Sequence, residues 1–87
     1  MKDIKFNGKA YEEFVEWAEN DKNIYEKIKE LLKDISREPF KGLGKPEPLK
    51  HEFRGYWSRR ITKEHRLVYR IEGDMLVVVS MFGHYSD

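Results

Sequence analysis

The sequence predicts an α+β domain of order β-α-α-β-β-β, in which a helical hairpin packs on one face of a twisted, mainly antiparallel sheet. Three features point to it. Two stretches with a helical apolar period follow one another in the first 37 residues. A loop rich in proline and glycine comes next. Beyond it the apolar pattern changes to alternation, broken by a Gly-Asp turn. The 87 residues suit one domain spanning 1–87, since a chain this short buries a single thin core.

Ile4-Lys5-Phe6 alternates and opens the sheet, and Asn7-Gly8 stops it, with Asn7 as expected N-cap of the first helix. Ala10, Phe14, Trp17 and Ala18 form that helix's apolar stripe, with Glu12, Glu13, Glu16 and Glu19 turned outward. Asn20-Asp21 breaks and re-caps the chain. Ile24, Ile28, Leu31, Leu32 and Ile35 then repeat the spacing, until Pro39 keeps the residue before it out of the α region. From Phe40 to Pro48 two glycines and two prolines fall within nine positions, which reads as loop. Residues near 49–54 are expected to pair with Tyr56–Thr62 across Arg54-Gly55. Arg66–Glu72 should pair with Met75–Phe82 across Gly73-Asp74. The sheet face away from the helices is left free.

Composition narrows the function. There are no cysteines, so disulfides, thiolate metal sites and a Cys nucleophile are excluded. The longest apolar run, Met75–Val79, is far below the ~20 residues of a membrane helix, and the N-terminus lacks a signal-peptide core, so a cytoplasmic protein is expected. Net charge is +1, yet residues 37–70 hold 10 basic and 4 acidic groups, including all the arginines. Such a block suits an anion-binding face as well as it suits a solvated surface.

Strand parity says which groups share the free face. Trp57, Arg59 and Ile61 take one side of their strand, and Tyr56, Ser58, Arg60 and Thr62 the other. In the next strand Leu67, Tyr69 and Ile71 point to the core, leaving Arg66, Val68 and Arg70 opposite. In the last strand Leu76, Val78, Ser80, Phe82 and His84 have one parity. Arg60 and Arg66 can thus converge, with His84 at the end of the neighbouring strand. Glu47, held between Pro46 and Pro48, is presented by a stiff loop. Alone it reads as an exposed loop glutamate, and His84 alone as an incidental terminal histidine. Together a base, arginines, an acid and the aromatic Tyr85 form a recognisable set for cleaving RNA without metal. His51, His65 and His84 lack zinc-motif spacing, and no metal or cofactor is expected.

Gly44-Lys45-Pro46-Glu47-Pro48-Leu49-Lys50-His51, Gly55-Tyr56-Trp57-Ser58-Arg59-Arg60-Ile61-Thr62, Glu64-His65-Arg66-Leu67-Val68-Tyr69 and the final His84-Tyr85 stand in order along the chain. In these the sequence resembles the YoeB/Txe group of bacterial type II toxins, in the RelE superfamily, over essentially its whole length. The resemblance implies a RelE-like fold and a ribosome-dependent endoribonuclease that cuts mRNA in the A site of the 70S ribosome. It also implies a homodimer, a YefM-type antitoxin and no need for metal. By position, Glu47 would be the general base, His84 the general acid, Arg66 the main transition-state cation and Arg60 a second phosphate contact. Tyr85 would orient or stack on the substrate, with Lys50 and His51 supporting RNA binding. Arg59, from the same arginine block, is assigned to RNA binding with them. Two departures stand out: Ser86-Asp87 extends beyond the His-Tyr pair, and Phe82 stands where relatives often carry a basic residue. The rival expectations are a non-catalytic toxin of the RelE/ParE fold and a basic RNA-binding module.

Overall fold

A computed structural model of the chain describes residues 3–83. It contains β1 (Asp3–Phe6), α1 (Ala10–Asn20), α2 (Lys22–Arg37), β2 (Glu47–Pro48), a 3-10 turn (His51–Phe53), β3 (Trp57–Arg60), β4 (Arg66–Glu72) and β5 (Met75–Ser80). The five strands form one sheet in the order β1-β5-β4-β3-β2. β1 runs parallel to β5, and every other pairing is antiparallel. The α+β class and the helical hairpin are as the periodicity predicts.

The helices follow from capping and apolar spacing. Asp21 is extended and its Oδ1 accepts the Ile24 N–H at 3.1 Å, which ends α1 and starts α2 with a single residue between them. Asn7 does not cap α1. Lys9 occupies that position without a side-chain hydrogen bond, and Asn7 contributes its backbone carbonyl to Ala10. Ile28, Leu31 and Ile35 are fully buried against Leu67, Tyr69, Leu76, Val78 and Met81. Each such side chain stabilises the fold by roughly 1.5–3 kcal/mol relative to an exposed one.

Two details of α1 differ from expectation. Ala18 is exposed, and Glu13 turns inward rather than outward. Glu13 Oε1 accepts the Met81 N–H at 2.7 Å, while Trp17 Nε1 donates to the Met81 carbonyl at 2.9 Å. Spaced four apart, the two side chains lie on one helix face and satisfy both backbone groups of a residue just past the end of β5.

The second half also needs two corrections. The partner of β3 on its outer side is Glu47–Pro48, not residues 49–54, which include the 3-10 turn. Proline is tolerated there because β2 is an edge strand and the missing N–H would face outward. In β5 the pairing jumps from Tyr69↔Val78 to Val68↔Ser80, so Val79 is an extra residue. This bulge reverses the side-chain alternation after Val78. Ser80 consequently pairs with Val68 on the face opposite Leu76 and Val78, against the expected common parity. That face is not bare either: Val68 and Val77 are fully buried on it.

Candidate active site

The register of three strands builds the site on the sheet face turned away from the helices. Glu47 is the partner of Ser58, Ser58 of Val68 and Val68 of Ser80, which makes one row across that face. One step along the strands, Arg60 is the direct partner of Arg66. Neighbouring strands lie about 4.8 Å apart, so the carboxylate and both guanidinium groups arise from adjacent positions on one surface. The exposed Glu47 and Arg60 therefore share the face that alternation assigned to Arg60 and Arg66.

Backbone bonds hold the acidic loop to the sheet on both sides of Glu47. Arg60 N–H donates to the Gly44 carbonyl at 2.6 Å, and Leu49 N–H to the Tyr56 carbonyl at 2.9 Å. Gly44 lies at φ +77°, and a Cβ there would stand 3.0 Å from the Arg60 carbonyl and from Leu31 Cδ2. Only glycine permits so close an approach. With Pro46 and Pro48 restricting the intervening backbone, Glu47 is presented from a short stretch tied at each end.

Arg60 and Arg66 are like charges directly opposite each other, an arrangement that weakens a sheet. The Arg66 side chain is steadied by the turn beside it, its Nη1 donating to the carbonyls of Thr62 at 3.0 Å and Lys63 at 3.3 Å. Among the described residues the Arg60 side chain has no hydrogen-bond or ion-pair partner. Two guanidinium groups on directly paired positions, with no carboxylate partner among the described residues, suit an anion.

Past the end of β5 the chain runs beside Arg66. Arg66 N–H donates to the Gly83 carbonyl at 2.9 Å, and Gly83 N–H donates to His65 Nδ1 at 3.0 Å. His65 is packed edge-on against Trp17, with ring centroids 5.0 Å apart. His84 and Tyr85, the expected acid and stacking group, lie outside the described residues. Lys50 and His51 are exposed, His51 at φ +55°, and sit past β2 at the end of the face away from Arg60 and Arg66. Among the described residues no group of three His, Asp or Glu side chains could hold a metal ion. No helix there is long and apolar enough to cross a membrane.

Arg59 is not an RNA contact. It is fully buried on the helix side of the sheet, and protein acceptors use all five of its N–H groups. Nε donates to Tyr69 Oη at 3.2 Å, and Nη1 donates to Asp34 Oδ2 and the Leu43 carbonyl, both at 2.7 Å. Nη2 donates to the carbonyls of Glu38 at 2.8 Å and Lys41 at 2.9 Å. Tyr69 Oη in turn donates to the Pro39 carbonyl at 2.6 Å. Arg59 thus organises residues 38–43, the segment that leads into the Glu47 loop. Its parity with Trp57 and Ile61 was the available signal, because that parity is the core side.

Residues 6–85 match the family described as a YoeB-like toxin of bacterial type II toxin–antitoxin systems. The chain belongs to this family. It is similar to Toxin YoeB of Escherichia coli K12, with 53% identity over 76 residues, covering 87% of this chain and 90% of the relative. YoeB of Staphylococcus aureus, solved as a dimer, superposes with a TM-score of 0.90 at 44% identity, covering 97% of this chain and 98% of that one. A YoeB of Staphylococcus aureus in a heterotetrameric YoeB–YefM complex gives 0.89 at 43% identity, covering 98% and 99%. The RelE-like fold and the YoeB/Txe resemblance expected from the sequence are those found, and the chain is a toxin of a toxin–antitoxin system.

Proposed function

We propose that this toxin is a ribosome-dependent endoribonuclease that cleaves messenger RNA in the A site by metal-independent acid–base chemistry. One observation carries the reading: Glu47 and the Arg60–Arg66 pair occupy adjacent register positions on one sheet face. The Glu47 carboxylate takes the proton of a ribose 2′-hydroxyl, and the freed oxygen attacks the adjacent phosphorus. Arg66, with Arg60 beside it, stabilises the charge that gathers on the non-bridging oxygens. The bond to the 5′-oxygen breaks, and His84 as imidazolium gives that oxygen its proton. The products are a 2′,3′-cyclic phosphate and a 5′-hydroxyl. General acid–base catalysis contributes about 10²–10⁴-fold.

His84 is supported by the chain path: it follows Gly83, whose carbonyl accepts the Arg66 N–H. Tyr85 stacks on or orients the substrate, and Lys50 and His51 hold RNA at the far end of the face. The dimeric S. aureus relative supports a homodimer, and the YoeB–YefM complex supports neutralisation by a YefM-type antitoxin. The site of action is cytoplasmic, where ribosomes translate.

The test is primer-extension mapping of message ends on translating ribosomes. New ends are expected with the wild type and none with Glu47→Gln combined with His84→Gln. Undiminished cutting by the double variant would remove the acid–base assignment. RNA affinity without new ends in the wild type would favour the binding module.

A further inference from the structure

The open face continues past Glu47, away from the Arg60–Arg66 pair. On β3 and the residue before it, Arg60, Ser58 and Tyr56 alternate onto this face, as do Arg66, Val68 and Arg70 on β4. Tyr56 and Arg70 therefore form the next row beyond Glu47 and Ser58. Arg70 Nη1 donates to Tyr56 Oη at 3.2 Å, and the guanidinium carbon lies 5.5 Å from the Tyr56 ring centroid. Arg70 Nε is held by the Glu72 carboxylate. Among the described residues the other three N–H groups of this guanidinium have no partner, and the side chain keeps 25% of its surface exposed. Lys50 and His51 lie at the same end, since Leu49 N–H bonds the Tyr56 carbonyl.

Bracing the sheet uses only two of the five N–H groups of Arg70 and leaves the rest beside an aromatic ring on the candidate face. A planar cation held at Nε and Nη1, with three N–H groups left over and a ring beside it, matches a phosphate and its base. We propose that Tyr56 and Arg70 form a second nucleotide subsite, which binds the RNA segment on the 5′ side of the scissile bond. The direction rests on the function proposed above. The attacking 2′-hydroxyl belongs to the nucleotide 5′ of the scissile phosphate. With that phosphate at Arg60 and Arg66 and the hydroxyl at Glu47, the strand continues 5′-ward over Tyr56 and Arg70. From Arg60 to Tyr56 is about 13 Å of extended chain.

The experiment measures cleavage by the full-length protein on ribosomes programmed with messages that carry one neutral methylphosphonate at successive 5′ positions. Arg70→Ala is expected to raise the half-saturating concentration about tenfold, the loss of one charge-assisted hydrogen-bond set, with the maximal rate within about twofold. Tyr56→Ala should behave likewise, while Tyr56→Phe keeps the ring and most of the affinity. In the wild type, one 5′ methylphosphonate should reproduce the loss, and Arg70→Ala should be insensitive to that substitution. Wild-type half-saturation in both alanine variants overturns the subsite, as does a loss independent of methylphosphonate position. A wild type that cuts while the variants cut equally well sinks the subsite alone. A wild type that produces no ends sinks the function on which it rests.

Discussion

Asp34 Oδ2 and Arg59 Nη1 stand 2.7 Å apart where α2 meets β3, and the same carboxylate oxygen accepts the Leu43 N–H at 3.0 Å. One acid on a helix thereby fastens both a buried arginine and the loop that crosses above it. Asp34→Ala leaves the Arg59 guanidinium buried with an unpaired N–H. The expected cost is about 3 kcal/mol, read from urea denaturation. Arg59→Lys should not restore stability, because three ammonium donors cannot serve five acceptor positions held by a planar fork. Near-wild-type stability in either variant would contradict the role given to this pair.

The same pair sets an acid dependence. The Arg59 hydrogen bond first, then that of Leu43, holds the Asp34 carboxyl below its ordinary value, against the opposing effect of burial. The folded value thus lies under the unfolded one. The contribution is complete above about pH 4 and is lost as pH falls through the unfolded value toward the folded one. As pH falls below about 4, wild-type stability should fall more steeply than that of Asp34→Asn. Parallel curves for the two proteins would count against it.

Gly42 tests the approach of the loop to this carboxylate. Its φ is +118°, and a Cβ there would run into Asp34 Oδ2. Gly42→Ala is expected to destabilise by about 2 kcal/mol or more, from backbone strain together with the displaced carboxylate. Cleavage should fall further than stability explains, because residues 38–43 lead into the Glu47 loop. A variant with unchanged unfolding midpoint and unchanged message cutting would refute this.

Arg60 and Arg66 predict a trade between stability and activity. As directly opposed like charges they repel, so Arg60→Ala should leave stability equal or raise it by up to about 1 kcal/mol. Under the proposed mechanism the same protein should lose about 10- to 100-fold in cleavage rate, since one of the two cations assigned to the scissile phosphate is gone. Both quantities are measured on one preparation. A fall in stability with activity retained would show that Arg60 serves the fold.

The Met81 clamp can be opened one bond at a time. Glu13→Ala removes the acceptor of the Met81 N–H, and Trp17→Phe removes the donor to its carbonyl. Each should cost about 1–3 kcal/mol, the penalty of an unsatisfied buried group. Glu13→Gln keeps an acceptor oxygen and should cost less than Glu13→Ala, as thermal unfolding would reveal. Equal losses in the two Glu13 variants would show that packing rather than the hydrogen bond matters there.

What the order of residues determined alone is what depends on local period and local stereochemistry. The Ile24–Ile35 stripe, the Asp21 cap, the Gly73-Asp74 turn and the alternation of Arg66–Glu72 each need only neighbours in the chain, and all were legible. So was the motif set that marks the family. Tertiary structure decided what depends on partners far away in sequence. Glu47–Pro48 reads as loop because one of its two residues lacks an N–H, and only pairing with Ser58 and Trp57 makes it a strand. Val79 looks like any strand valine until Val68 and Tyr69 choose partners on either side of it. Arg59 and Arg60 are chemically identical neighbours. The pleat sends one into a ring of protein acceptors and the other to the open face. A side chain's chemistry is written in its code, but whether its charge is used by the fold or left for a ligand depends on which groups the folded chain brings within hydrogen-bond reach.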